Sequence, residues 1–353
     1  MKEFNIKKLT SQRLFLPIFC LALVLLVNVM TTPDFFAVSV RDGVLYGYII
    51  DIINRASELV ILAIGMTLVV SASAGTDISV GAIMAVSAAV CCNLLTGGER
   101  AATEYACPLI LGFLAALVIG ALIGCFNGVL VAKLKIQPMV ATLIMFTAGR
   151  GIAQLITDGQ ITYVRVESYK VLGSFLPHVP VPTPFIVAML MVILTSLILK
   201  KTALGLYIQS VGINAKASRL VGIKSTMIVF LTYAFCGICS GLAGMIASSR
   251  IYSADANNIG LNLEMDAILA VALGGNVLGG GKFSLMGSVI GAYTIQALTT
   301  TLYAMSVSAD QLPVYKAIVV VIIVTLQSPV FKKFVAAQKA KRQASKAITE
   351  GGN

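Results

Sequence analysis

Apolar runs of membrane-crossing length recur along this whole chain, and they leave few folds open. A bilayer core about 30 Å thick needs roughly 20 apolar residues per crossing helix. Runs of that kind fall at about 14–31, 57–73, 76–95, 108–132, 138–156, 183–199, 225–249, 264–280, 284–304 and 314–330. They do not alternate polar with apolar, as barrel strands would. Backbone groups in lipid must pair inside their own segment, so the runs read as helices. Of 353 residues, 58% are hydrophobic and 12% charged, where a soluble domain averages about 25% charged. The expected fold is an all-α polytopic membrane protein of about ten transmembrane helices. Its expected divisions are an N-terminal segment 1–13, a membrane domain 14–330 and a basic tail 331–353.

Charge orients the chain. Basic residues cluster at the N-terminus (Lys2, Lys7, Lys8, Arg13), at Lys133 and Lys135, in the 200–224 loop, at Lys282 and in the tail. An even number of spans puts both termini on one side, and the excess of Lys and Arg makes that side cytoplasmic. The net charge of +11 then follows from topology, and no nucleic-acid partner is implied. The tail reads as a solvated end, with anionic membrane lipid as the other contact open to it. The first run lacks a small-residue cleavage site and reads as a retained span. Cys236 and Cys239 form a C-x-x-C inside an apolar run with no second pair beside it, so they read as packing residues. No cofactor, metal site or disulfide framework is expected.

Two stretches break the helical pattern at membrane depth, Ser71–Gly81 and Leu273–Phe283. Irregular backbone there is tolerated only where protein or a water-filled cavity satisfies it, and paired interruptions in a transporter point toward the pathway. Thr76, Asp77, Ser79 and Asn276 are therefore pathway or gate candidates. Asp77 or Thr76 is also expected to cap the next helix. Arg150 lies inside an apolar span and should pair with a carboxylate or cap carbonyls, with a pathway or gating role as the alternative. Asn257, Asn258, Glu264 and Asp266 form a polar run suited to sugar hydroxyls, although Glu264 and Asp266 fall on different helix faces. Pro177, Pro180, Pro182 and Pro184 suggest an extended outer loop. The single histidine, His178, sits in that loop, and no hydrolytic constellation can be assembled around it. Gly279-Gly-Gly-Lys282 is not a phosphate loop. Asn276 stands where the first Gly belongs, and Phe283 where Ser or Thr belongs.

The 200–224 loop carries Lys200, Lys201, Lys216, Arg219 and Lys224 and no acid. Its centre reads as one short surface helix between Gly212 and Gly222, with Asn214, Ala215, Ala217, Ser218 and Arg219 offered to a separate cytoplasmic motor.

Gly65-Met-Thr-Leu-Val-Val70, Gly75-Thr-Asp-Ile-Ser-Val-Gly81, Lys135-Ile-Gln-Pro-Met-Val-Ala-Thr-Leu143, Gly149-Arg-Gly151 and Val211-Gly-Ile-Asn-Ala-Lys-Ala-Ser-Arg-Leu220 resemble the permease subunits of ribose, xylose and galactose ABC importers. The resemblance runs from about residue 40 to 328. It looks nearest to the galactofuranose permeases through Arg41-Asp-Gly43, Ile50–Ala56, Ala254–Asn258 and Leu263–Ala270. One departure is Ala74-Gly-Thr-Asp-Ile-Ser-Val-Gly81, where the family usually has Gly-Gly-Ile-Asp-Leu-Ser-Val-Gly. The aspartate stays.

The resemblance implies a bacterial inner-membrane subunit that carries a monosaccharide. It implies a cytoplasmic ATP-binding subunit docked at 205–223, an extracytoplasmic sugar-binding protein and a second permease copy. The rival reading is an ion-coupled secondary carrier of a small polar solute.

Overall fold

The computed structural model describes residues 14–31, 34–41 and 43–327; the expected segments 1–13 and 331–353 lie outside them. Every expected span meets a helix. These are α1 (Phe15–Thr31), α2 (Tyr48–Ser73), α3 (Val80–Thr96), α4 (Leu109–Gly128, continued by a π turn Val129–Lys133) and α5 (Pro138–Ile156). After them come α6 (Thr183–Lys201), α7 (Leu204–Ile213), α8 (Ala215–Leu220), α9 (Ser225–Ile251), α10 (Leu263–Leu273), α11 (Leu285–Ala304) and α12 (Leu312–Gln327). Five of them, α2, α4 with its π turn, α5, α6 and α9, are long and apolar enough to cross a membrane. The protein is an all-α polytopic membrane protein.

Three boundaries differ from expectation, each for a local reason. Helix α2 starts at Tyr48, because Asp51 and Arg55 pair across one turn at 2.8 Å and carry the helix through polar residues. Helix α3 starts at Val80 rather than near residue 76, because the chain is still turning through Asp77. The run 264–280 is not a full span. Helix α10 has 11 residues, about 16 Å of rise, and ends at Gly274 before a glycine-rich turn.

Helix α2 is the axis of the bundle. It is buried along almost its whole length and touches α6, α9, α10 and α11. An isolated apolar helix gains nothing from burial against others in lipid, so close packing must hold it. The α4–α9 seam shows how. Gly120 and Gly124 on α4 face Gly237 and Gly241 on α9, with backbone against backbone. A Cβ on Gly124 would come within 2.5 Å of the Tyr233 carbonyl oxygen. Small residues four apart on both helices permit this approach. Cys236 and Cys239 lie buried against Gly65 of α2, as packing residues.

The end of the bundle that carries the α5–α6 connection is closed by loops. A three-stranded sheet joins β1 (Ala101–Ala102), β2 (Thr162–Val164) and β3 (Ser253–Ala254), with β1–β2 parallel and β2–β3 antiparallel. The proline-rich loop is thus not simply extended. It forms a strand and a 3-10 turn, Glu167–Leu172. That turn buries Tyr169, whose hydroxyl lies 2.7 Å from Ser248 Oγ. Nearby, Arg250 of α9 pairs with Glu58 of α2 at 2.8 Å. A second ion pair, Lys316–Asp266 at 2.7 Å, fastens α12 to α10.

The glycine seam yields the first prediction. Gly124→Leu should overpack α4 against α9 and destabilise the protein by about 1–3 kcal/mol. Gly151→Leu, at a position where an added Cβ meets nothing within 4 Å, should be tolerated. Thermal unfolding of both variants in detergent checks this; equal melting temperatures would dissolve the seam argument.

Candidate translocation site

The site is built from the two broken segments, and each broken backbone is closed by protein. After α2 the chain passes Ala74 in left-handed conformation (φ 53°) and turns through Gly75 to Ser79. The freed amides find local partners. The Ile78 amide donates to Thr142 Oγ1 on α5 (3.1 Å), and the Ser79 amide donates to Asp77 Oδ1 (2.9 Å). The Asp77 amide lies 3.4 Å from Met66 Sδ. Asp77 therefore does not cap α3 directly. Ser79 is the N-cap residue, and Asp77 holds it in place through its amide and its hydroxyl (2.6 Å). Thr76 is buried, its carbonyl 3.5 Å from Thr142 Oγ1. Asn127 of α4 donates to Ser79 Oγ at 2.8 Å. No local motif singles out Asn127 in the sequence, and it was missed there.

The other face of the α3 start meets the α9–α10 connection. Gly81 and Gly260 touch backbone to backbone, and the Glu264 carboxylate lies against Gly81. Gly260 has φ +71°, a conformation costly for other residues, and a side chain there would also strike Gly81. Arg150 of α5 sets this connection. Its Nη1 donates to the carbonyls of Ala256 (3.0 Å) and Ile259 (2.6 Å), and lies 3.4 Å from that of Asn257. Four buried polar atoms around this junction lack a hydrogen-bond partner: Asp77 Oδ2, Asn127 Oδ1, Arg150 Nη2 and Glu264 Oε2. Buried polar groups are normally paired, so this junction is equipped to meet hydroxyls or water.

The second break is closed by Asn276. Its Nδ2 donates to Ser288 Oγ (2.7 Å), and its Oδ1 accepts from the Ser284 amide (2.6 Å). Ser288 Oγ in turn lies 2.6 Å from Thr67 Oγ1 on α2. The two breaks then meet. The Gly281 amide donates to the Ser71 carbonyl (2.9 Å), and Gly280 packs against Ala74. Gly212, at the end of α7, packs on Ser71 and Gly281, with no room for a Cβ. A cleft of about 470 Å³ opens beneath, lined among others by Ser73, Ala74, Gln137, Gly212 and Lys216.

The structure thus gathers Thr76, Asp77, Ser79, Arg150 and Glu264 about the α3 start and puts Asn276 in the second break. Asn257 reaches only the exposed rim of the site, its carbonyl near Arg150 and its Oδ1 accepting from Gln154 Nε2 at 2.6 Å. Asn258 and Asp266 are not brought there: Asn258 is exposed and held by Asp255, and Asp266 turns away to Lys316.

The basic loop is also rearranged. It forms two helices split at Asn214, whose Oδ1 caps α8 by accepting from the amides of Lys216 and Ala217 (both 3.0 Å). Gly212 belongs to α7 and faces the breaks, so it is not part of an outer docking face. Ser218 is buried as well, since its turn of α8 leans on α9, where Ser225 Oγ donates to the Ala215 carbonyl. Leu220 (89% exposed) and Val221 (76% exposed) stand out instead, beside exposed Ala217 and Arg219 and the turn at Gly222.

Membrane-length helices, a buried axial helix and two joined breaks define a multi-pass permease. The chain belongs to the permease family described as "Branched-chain amino acid transport system / permease component", which matches residues 48–326. Among its relatives, the galactofuranose transporter permease protein YtfT of Escherichia coli is 45% identical, covering 92% of this chain and 92% of that protein. The fructose import permease protein FruF of Bifidobacterium longum is 39% identical (96% and 94%), and the ribose import permease protein RbsC of E. coli 34% (87% and 92%). No solved structure matches the chain. The family description names amino acids while these relatives are named for sugars, so membership gives fold and transport role without the solute.

Two substitutions separate support of the fold from contact with a solute. Asn276→Ala strands the Ser284 amide at about 1–3 kcal/mol, leaves Ser288 only its Thr67 partner, and should lower both the melting temperature and uptake. Asp77→Asn keeps an acceptor for Ser79 and changes only the unpaired oxygen. It should therefore melt near the parent yet lose uptake at least tenfold. Normal uptake by Asp77→Asn would reduce Asp77 to a backbone staple.

Proposed function

We propose that this chain is the membrane-spanning permease subunit of an ATP-binding-cassette importer for a monosaccharide, galactofuranose- or galactose-like before ribose-like. The order of identities to the named sugar permeases supports the solute class. The partners are a cytoplasmic ATP-binding subunit, an extracytoplasmic sugar-binding protein and a second permease copy or homologue. The subunit lies in the bacterial inner membrane with both termini cytoplasmic. The basic face with Lys133, Lys135 and the 200–224 loop is then the cytoplasmic one.

One observation carries the mechanism. Gly212 ties α7 to Ser71 at the first break and to Gly281 at the second. A push on α8 is passed by α7 to both breaks at once, through backbone rather than through flexible side chains. Thr76, Asp77, Ser79, Arg150, Glu264 and Asn276 hold the gate in that scheme. Asn214 shapes the coupling loop. Ala215, Ala217, Arg219, Leu220, Val221 and Gly222 form or flank the face that meets the ATPase. Arg219 is suited to a carboxylate or a helix C-terminus there.

Reconstituted vesicles test the scheme. Sugar uptake should require the ATP-binding subunit and ATP. Uptake by the chain alone under an ion gradient would overturn it in favour of a secondary carrier.

Ala217→Trp should insert normally, because α8 lies outside the spans, and should lose at least tenfold in sugar-stimulated ATP hydrolysis. A cysteine at Lys216 should resist an impermeant reagent from outside, while one at Lys170 should label. The reverse labelling would invert the orientation.

A further inference from the structure

Beside the loop helices lies a larger cavity, about 830 Å³, between the π turn ending α4 and the start of α9. Its lining holds three cations, Lys133, Arg219 and Lys224, and, among the described residues, no Asp or Glu. Helix α9 begins in its wall at Ser225, which adds the positive end of a 27-residue helix. The remainder of the wall is largely apolar, with Val129, Met227 and Phe230.

The cavity opens beside exposed apolar side chains of both helices, Phe126 and Leu122 on α4 and Leu231 on α9. Both helices are of membrane-crossing length and composition, and Lys133 and Lys224 stand at their ends. A cationic mouth at the membrane surface thus has an apolar floor of Val129, Met227 and Phe230. A free phosphate has no use for that floor.

We propose that this cavity binds an anionic phospholipid. Its phosphate is held by Lys133, Lys224 and Arg219, and an acyl chain lies along Val129, Phe230 and Met227 between α4 and α9. Basic pockets at the ends of membrane helices suit such headgroups. The site needs only that α4 and α9 cross a bilayer, so it stands whatever solute is carried. Arg219 also belongs to α8, so occupancy of the site sets the position of the helix assigned to the ATPase.

The full chain, purified in a neutral detergent, is titrated with dihexanoylphosphatidylglycerol, dihexanoylphosphatidylcholine or inorganic phosphate while its unfolding temperature is followed. Binding to the folded form raises that temperature with ligand concentration. The expected result is a rise of several degrees with the glycerol lipid alone. That rise is lost in Lys133→Gln/Lys224→Gln and kept in Lys200→Gln/Lys201→Gln, a pair of equal charge outside the cavity. An equal rise with phosphate would make this a small-anion site. An equal rise with the choline lipid would leave only a greasy groove. No rise with either lipid in the parent would assign the cavity to a protein partner, and an equal loss in both double variants would mean diffuse attraction. Each of these four outcomes overturns the proposal.

Discussion

A backbone amide in hydrocarbon has no water to fall back on, and an unmet one costs several kcal/mol. A chain that interrupts two of its helices at that depth must therefore close each interruption with protein. Here the closures are specific. Thr142 and Asp77 serve the first break, Asn276 serves the second, and the Gly281–Ser71 hydrogen bond makes the two breaks one unit. Helix α3 begins and α10 ends at the breaks, and α7 comes to them through space, with Gly212 packed on Ser71 and Gly281.

The closures also explain why so many small residues occupy the centre. Backbone can serve backbone only where side chains do not intervene. Gly81 and Gly260 meet at the α3 start, and Gly212 meets Ser71. The α4–α9 seam applies the same rule to whole helices. The bundle is thus stiff where its backbones touch, along the α4–α9 seam and at the joined breaks, and it is loaded with unpaired polar atoms where α3 begins.

Much of this was legible from sequence. The spans were readable because long apolar runs have one solution in lipid, and Asp77 and Arg150 because charge in such a run needs a reason. What escaped reading depended on distance or phase. Asn127 is a lone amide in an apolar helix, and its partner Ser79 lies 48 residues away. The break after Leu273 was legible in Gly274-Gly-Asn276, but Val277 and Leu278 keep the run 264–280 apolar enough to pass as a full span by length. Ser218 and Leu220 lie two positions apart on one short helix, and only its docking against α9 decides which is buried. Gly120 and Gly124 are spaced by one turn, yet nothing local names Gly237 as their counterpart.

The Lys316–Asp266 pair has an electrical consequence. Moving one elementary charge across a membrane potential exchanges about 2.3 kcal/mol per 100 mV. Helix α10 carries Asp266 and α12 carries Lys316, and at 2.7 Å the two charges cancel as seen by the field. As long as α10 and α12 travel together, rearrangement of the half-helix displaces no net charge from this pair. The pair therefore adds no gating charge of its own to such a step, whatever the resting voltage across the membrane.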